Sequence, residues 1–136
     1  NNTFHNFPEE GAIAIELCQY VKDAVVFNNI VSGASSGIVA AAGCTLANDA
    51  NVFWNVATPH GGVAVAGPND RVADPVFKAP TACDFRLGNA DLMASAAKSF
   101  MDKPAPDDDF FGTARGKGIS FGAVQAPLQA TVLIVR

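Results

Sequence analysis

Asn2-Thr3-Phe4-His5-Asn6, Asn29-Ile30-Val31-Ser32-Gly33 and Asn51-Val52-Phe53-Trp54-Asn55 are three versions of one short segment. Each opens on Asn, alternates apolar residues with others, and closes on Asn or Gly. The opening Asn residues are 27 and then 22 positions apart. β-Branched and aromatic residues bounded by Asn and Gly favour a strand that ends in a tight turn. Recurrence at this period is the mark of a stacked architecture, in which one unit cannot bury its own apolar face and needs a neighbour.

Two other elements run in phase with it. Gly11-Ala12-Ile13-Ala14-Ile15-Glu16-Leu17, Gly37-Ile38-Val39-Ala40-Ala41-Ala42 and Gly62-Val63-Ala64-Val65-Ala66 are led by glycines 26 and 25 positions apart. Asp23-Ala24-Val25-Val26-Phe27 precedes the second Asn segment, with a counterpart around Cys44-Thr45-Leu46. Each unit thus holds two or three short strands. Parallel stacking about 4.8 Å apart would pair each strand with its equivalent above and below, and stacked Asn side chains would hydrogen-bond up a ladder. The expected fold is all-β: a right-handed parallel β-helix, a single-stranded β-solenoid with an irregular or short helical C-terminal cap. The rungs are expected over 1–87 and the cap with a terminal strand over 88–136. A β-sandwich is the alternative, but its two-residue Asn-Gly or Asp-Gly hairpin turns are absent.

Composition bounds the function classes. The 136 residues are 49% hydrophobic and 16% charged, unlike a disordered tail. A net charge of −4 provides no basic footprint for nucleic acid. No run of about 18 apolar residues predicts a transmembrane helix. The opening residues read as the middle of a pattern, which predicts rungs upstream.

From Asn51 onward, three stretches carry a resemblance: Asn51-Val52-Phe53-Trp54-Asn55, Gly67-Pro68-Asn69-Asp70-Arg71-Val72-Ala73-Asp74-Pro75-Val76-Phe77 and Asp84-Phe85-Arg86-Leu87. With Phe111-Gly112-Thr113-Ala114-Arg115 and Ser120-Phe121-Gly122-Ala123-Val124, they resemble the C-terminal pattern of parallel β-helix repeat proteins of the pectate-lyase-like superfamily. One departure is Leu92–Met101, where good helix formers place Leu92, Ala96 and Phe100 on one face. The tail 130–135 reads as a β-prone terminal strand.

The resemblance implies a secreted or cell-surface protein that acts on or binds polysaccharide; the unpaired first rung and the β-prone tail add homo-oligomerisation through exposed solenoid ends as a further expected partner mode. If the parent protein is catalytic, it implies a polysaccharide lyase or glycoside hydrolase whose active site lies outside this chain. The alternative is a non-catalytic structural or assembly module. Trp54 and Tyr20 are the candidate carbohydrate contacts, each offering an aromatic face. Asp107, Asp108 and Asp109 are the densest acidic run, either carboxylates for Ca²⁺ or a solvated loop. Cys18 and Cys44 each lie seven positions after a repeat glycine, which suits either a disulfide between rungs or stacked thiols. His60 before Gly61-Gly62 reads as a turn residue, and Glu9 and Glu10 as loop solvation.

Overall fold

The computed structural model describes residues 1–126. It is built of strands: β1 (Thr3–His5), β2 (Ile13–Leu17), β3 (Ala24–Phe27), β4 (Ile30–Ala40), β5 (Leu46–Asp49), β6 (Val52–Gly62), β7 (Arg71–Val72), β8 (Phe77–Ala79), β9 (Asp84–Leu87), β10 (Ser99–Phe100) and β11 (Lys103–Pro104). The fold is all-β. The remaining regular structure is two single turns of 3-10 helix, Pro80–Ala82 and Ala90–Leu92. No helix among the described residues is long and apolar enough to cross a membrane.

Strands β1 to β7 pair only in parallel. One sheet runs β1 and β2 on β4, then β4 on β6, then β6 on β7, and a second sheet pairs β3 with β5. Thr3 lies opposite Ile30, and Ile30 opposite Val52, so the Asn-led segments are true register mates. The counterpart expected near Thr45-Leu46 is also in register, with Ala24 opposite Leu46.

The glycine-led segments need correction. Ile13 lies opposite Ser36 and Ile38 opposite His60, offsets of 23 and 22. Glycines at 11, 37 and 62 are therefore each out of step by three, and Val63–Ala66 lies beyond the end of β6. These glycines answer local needs. A Cβ on Gly37 would lie 2.5 Å from the Pro59 carbonyl and 2.6 Å from the Phe53 ring, so only glycine fits there. Gly11 and Gly62 have φ of 79° and 65°, a region that costs other residues about 1–2 kcal/mol.

The corners are built from the same chemistry in each rung. Asn28 and Ala50, at φ 57° and 51°, turn the chain from the second sheet into the first. Next comes the Asn ladder. Asn29 Oδ1 accepts from the backbone N–H and Nδ2 of Asn2, at 2.9 and 3.1 Å. Asn51 Oδ1 accepts the equivalent pair from Asn29, at 3.1 and 2.9 Å. The last step ends on Asp70 Oδ1, 2.7 Å from the Asn51 N–H and 3.3 Å from its Nδ2. A carboxylate suits that place because it only accepts.

Alternation along the strands creates two cores. Val31 and Phe53 face inward with Leu17, Ile38 and Ala40. Their neighbours Ile30 and Val52 face outward and are covered by Leu87, Leu92 and Phe121. The C-terminal segment, residues 73–126, is thus a clip along the flank of the stack. The parallel rungs end at Val72, and the stretch to residue 87 is an antiparallel hairpin of β8 on β9. The predicted helix over Leu92–Met101 is limited to the 3-10 turn at Ala90–Leu92. Its would-be helical amides are taken by tertiary partners: Ala96 N–H donates to the Ile119 carbonyl and Ala97 N–H to Asn28 Oδ1. The terminal strand expected over 130–135 lies outside the described residues.

Candidate functional site

The first rung carries an insertion. Ten positions separate Thr3 from Ile13, whereas six separate their partners Ile30 and Ser36. The four extra residues fall in the loop Asn6–Ala12. Three anchors fix that loop: Phe7 N–H donates to the Gly33 carbonyl at 2.9 Å, Gly11 N–H to Ser35 Oγ at 2.9 Å, and Ala12 N–H to the Glu9 carbonyl at 3.3 Å. Pro8 stiffens it further.

The loop overlooks a column of left-handed residues. Asn6, Gly33 and Asn55, the closing residues of the three Asn-led segments, have φ of 59°, 70° and 52°. Because β4 and β6 continue past this point, each bends at its column residue instead of ending. The bend and the inserted loop together enclose an open groove of about 830 Å³. Trp54 forms part of its wall, 40% exposed, on the residue after buried Phe53. Asn6, Glu9, Glu10, Ser35 and Asn55 supply its polar side chains. Its only ionisable side chains are the two glutamates, both exposed. A rigid aromatic face beside a few hydrogen-bonding groups can hold a ligand that is apolar on one side and hydroxylated at its edges.

The other predicted site residues are placed elsewhere. Tyr20, 80% exposed in the loop between β2 and β3, does not line the groove. Cys18 and Cys44 are both free. Their spacing of 26 exceeds the actual rung offset of 23, so they are not register mates. Cys44 Sγ instead lies 2.9 Å from the Cys18 carbonyl, and Cys18 is exposed, so neither the disulfide nor the buried thiol stack forms.

Asp107, Asp108 and Asp109 form a turn around Arg115. Asp109 Oδ1 accepts from the amides of Phe111 and Thr113, and Oδ2 from that of Gln125. Burial raises the pKa of the Asp109 carboxyl, but these hydrogen bonds outweigh it and hold the group below the ordinary range. The carbonyls of Asp107 and Asp108 accept from Arg115 N–H and Nε. Among the described residues, no three His, Cys, Asp or Glu side chains gather as metal ligands. His60 lies within β6, its Nε2 3.0 Å from Asp70 Oδ2 and its ring edge-on to Phe53, so it closes the last full rung inside the stack.

Sequence reasoning found Trp54 and missed its neighbours. Glu9 and Glu10 read as solvated loop residues, yet the spacing of 27 against 22 already marked extra residues in the first unit. The role of Ser35 as a loop anchor had no such signal. Comparison with known proteins finds no matching family model, no matching curated protein and no matching solved structure.

Proposed function

We propose that this chain is the C-terminal part of a right-handed parallel β-helix, from a secreted or cell-surface protein that acts on or binds polysaccharide, and that it binds glycan along its flank. Right-handed winding is the reading that parallel crossovers favour almost without exception. The pectate-lyase-like resemblance of residues 51–124 supports the same architecture. The observation that carries the functional reading is the groove, where an accessible indole is held on a rigid strand beside amide, hydroxyl and carboxylate groups.

Trp54 is the only tryptophan in the chain, so intrinsic tryptophan fluorescence reports on the groove alone. Titration with a panel of oligosaccharides should shift or quench that emission saturably. Trp54→Ala should weaken binding about tenfold or more, measured by calorimetry, as loss of a central aromatic anchor does. A panel of glycans that leaves the emission unchanged and releases no heat would overturn the reading.

A second reading, end-to-end assembly, is favoured by an exposed aromatic pair. Exposed Phe110 and Phe111 flank Thr3 and Phe4 in a second cleft of about 420 Å³. Light scattering that rises with concentration, and falls on Phe110→Ser with Phe111→Ser, supports assembly. A monomer at all concentrations excludes it.

A further inference from the structure

We propose that the Trp54 groove selects cationic glycans, polymers of amino sugars, over neutral ones, and rejects polymers of uronic acids. The inference rests on the glycan-binding reading and names its ligand class.

The charge pattern of the lining carries it. Fifteen residues line the groove, and Glu9 and Glu10 are the only ionisable ones; no Lys, Arg or His is present. Among the described residues, neither carboxylate forms an ion pair, so both are available to a ligand. Their loop is not free to swing away. Its anchors to Gly33 and Ser35 tie it to β4, and Pro8 precedes the pair directly. The loop backbone that carries the glutamates is therefore fixed on the rim, so a cation that binds there has only their side chains to order.

The indole in the same lining supports the same ligand. An ammonium group near the face of an indole is attracted by the ring quadrupole, so Trp54 can serve both a sugar's apolar face and its charged amine. The chain's net charge of −4 adds long-range attraction for a polycation and repulsion for a polyanion. A carboxylated sugar in this groove would meet two like charges and no counter-charge.

The test is a fluorescence titration of the full chain with three oligomers of equal length, made of glucosamine, N-acetylglucosamine and galacturonate, at mildly acidic pH where the amines are charged. At low ionic strength, the glucosamine oligomer should bind about tenfold tighter than the N-acetylated one, and the advantage should shrink toward parity at about 1 M salt, where the Debye length is about 3 Å. The galacturonate oligomer should not bind. Glu9→Gln with Glu10→Gln should remove the advantage, bringing the glucosamine oligomer down to the affinity of the N-acetylated one, and an unchanged melting temperature and far-UV circular dichroism should show that the variant is folded. Equal binding of the charged and acetylated oligomers would overturn this inference while the glycan-binding reading stands. Binding of galacturonate in preference would overturn it too, and an oligolysine peptide that binds as tightly as the glucosamine oligomer would assign the groove to basic peptides instead. If no oligomer binds, the glycan-binding reading fails and this inference falls with it.

Discussion

In the stack from β1 to β7, Asn29 and Asn51 pass the same two hydrogen bonds from one rung to the next, whereas along the clip, residues 73–126, what recurs is only local: Asp74, Asp84, Asn89 and Asp109 each accept from the amide two residues on. Arg115 is the clearest contrast. The residue is 3% exposed, and its guanidinium donates to the carbonyls of Asp108, Ser120, Gly122 and Ala123, with no carboxylate among the described residues in salt-bridge contact. Burial pulls the pKa of that guanidinium below its ordinary value, and the charge of Asp109 offsets only part of that. Asn28 similarly clamps one residue of the clip, donating to the Ala97 carbonyl at 2.6 Å and accepting from its N–H at 2.8 Å. Buried backbone groups must be paired in either region. A repeat solves that problem once and reuses the solution, while an irregular segment needs a separate polar side chain for each group.

If that contrast is correct, the greatest loss should come from the middle of the ladder. Asn51→Ala orphans the Asn29 N–H, leaves Asn29 Nδ2 with the Phe27 carbonyl alone, and removes donors from the Val26 and Asp49 carbonyls. At about 1–3 kcal/mol for each buried unsatisfied group, the variant should lose about 4 kcal/mol or more by urea denaturation. Asn2→Ala, at the exposed start, should lose about 1 kcal/mol. Equal losses at both sites would mean that the ladder is not the unit.

Arg115→Met should cost about 3 kcal/mol by the same reasoning, and Arg115→Lys should not rescue it, since one ammonium cannot reach four carbonyls as a planar fork does. Hydrogen exchange sharpens the contrast: protection should fall at Ala96, Ala97 and Phe121 and persist in β4 and β6. Equal loss in the stack would make the two regions one cooperative unit. Gly122→Ala probes the seam between them. At φ 76°, its Cβ would lie 2.5 Å from Thr3 Oγ1 and 2.9 Å from Ile30 Cδ1, so a loss of about 2 kcal/mol is expected in thermal unfolding.

Acid should act on both regions. Asp49 in the stack accepts from Ala50 N–H and from the N–H and Nδ2 of Asn69. Burial raises the pKa of its carboxyl, but these bonds outweigh it and set the folded value below the ordinary one, as at Asp109. The stability they add is therefore fully present above the unfolded carboxylate value near pH 4 and is lost as pH falls through the lower folded values. Asp49→Asn and Asp109→Asn should each flatten the fall in melting temperature below that pH. The smallest effect is expected at Ala50→Gly, within about 1 kcal/mol, because relief of the left-handed backbone is offset by a more flexible unfolded chain.

The stack was legible because its solution is written three times. The segments at Asn2, Asn29 and Asn51 gave the strand, the corner and the ladder together. The glycine-led segments misled by three residues, and the Cys18–Cys44 pairing with them, because those glycines serve local bends and one close approach instead of a common register position. The clip was barely legible. Leu92–Met101 has the composition of a helix, but its amides at Ala96 and Ala97 are taken by Ile119 and by Asn28, the latter some seventy positions away. Asp109 and Arg115 could be recognised as a turn motif, but nothing in their neighbourhood reveals that Arg115 gathers carbonyls from residues 120–123. The groove lies between these cases: Trp54 was visible as an aromatic, and its acidic rim was hidden in an uneven spacing.

The most direct test of the parallel register is the exchange of the Asn side-chain amides, followed by NMR together with backbone contacts between strands. The Nδ2 protons of Asn29 and Asn51 should exchange slowly, and nuclear Overhauser contacts should link β4 to β6 with Ile30 beside Val52 and Ile38 beside His60. Rapid exchange of both carboxamides, or the close Hα–Hα contacts of antiparallel strands between β4 and β6, would contradict it.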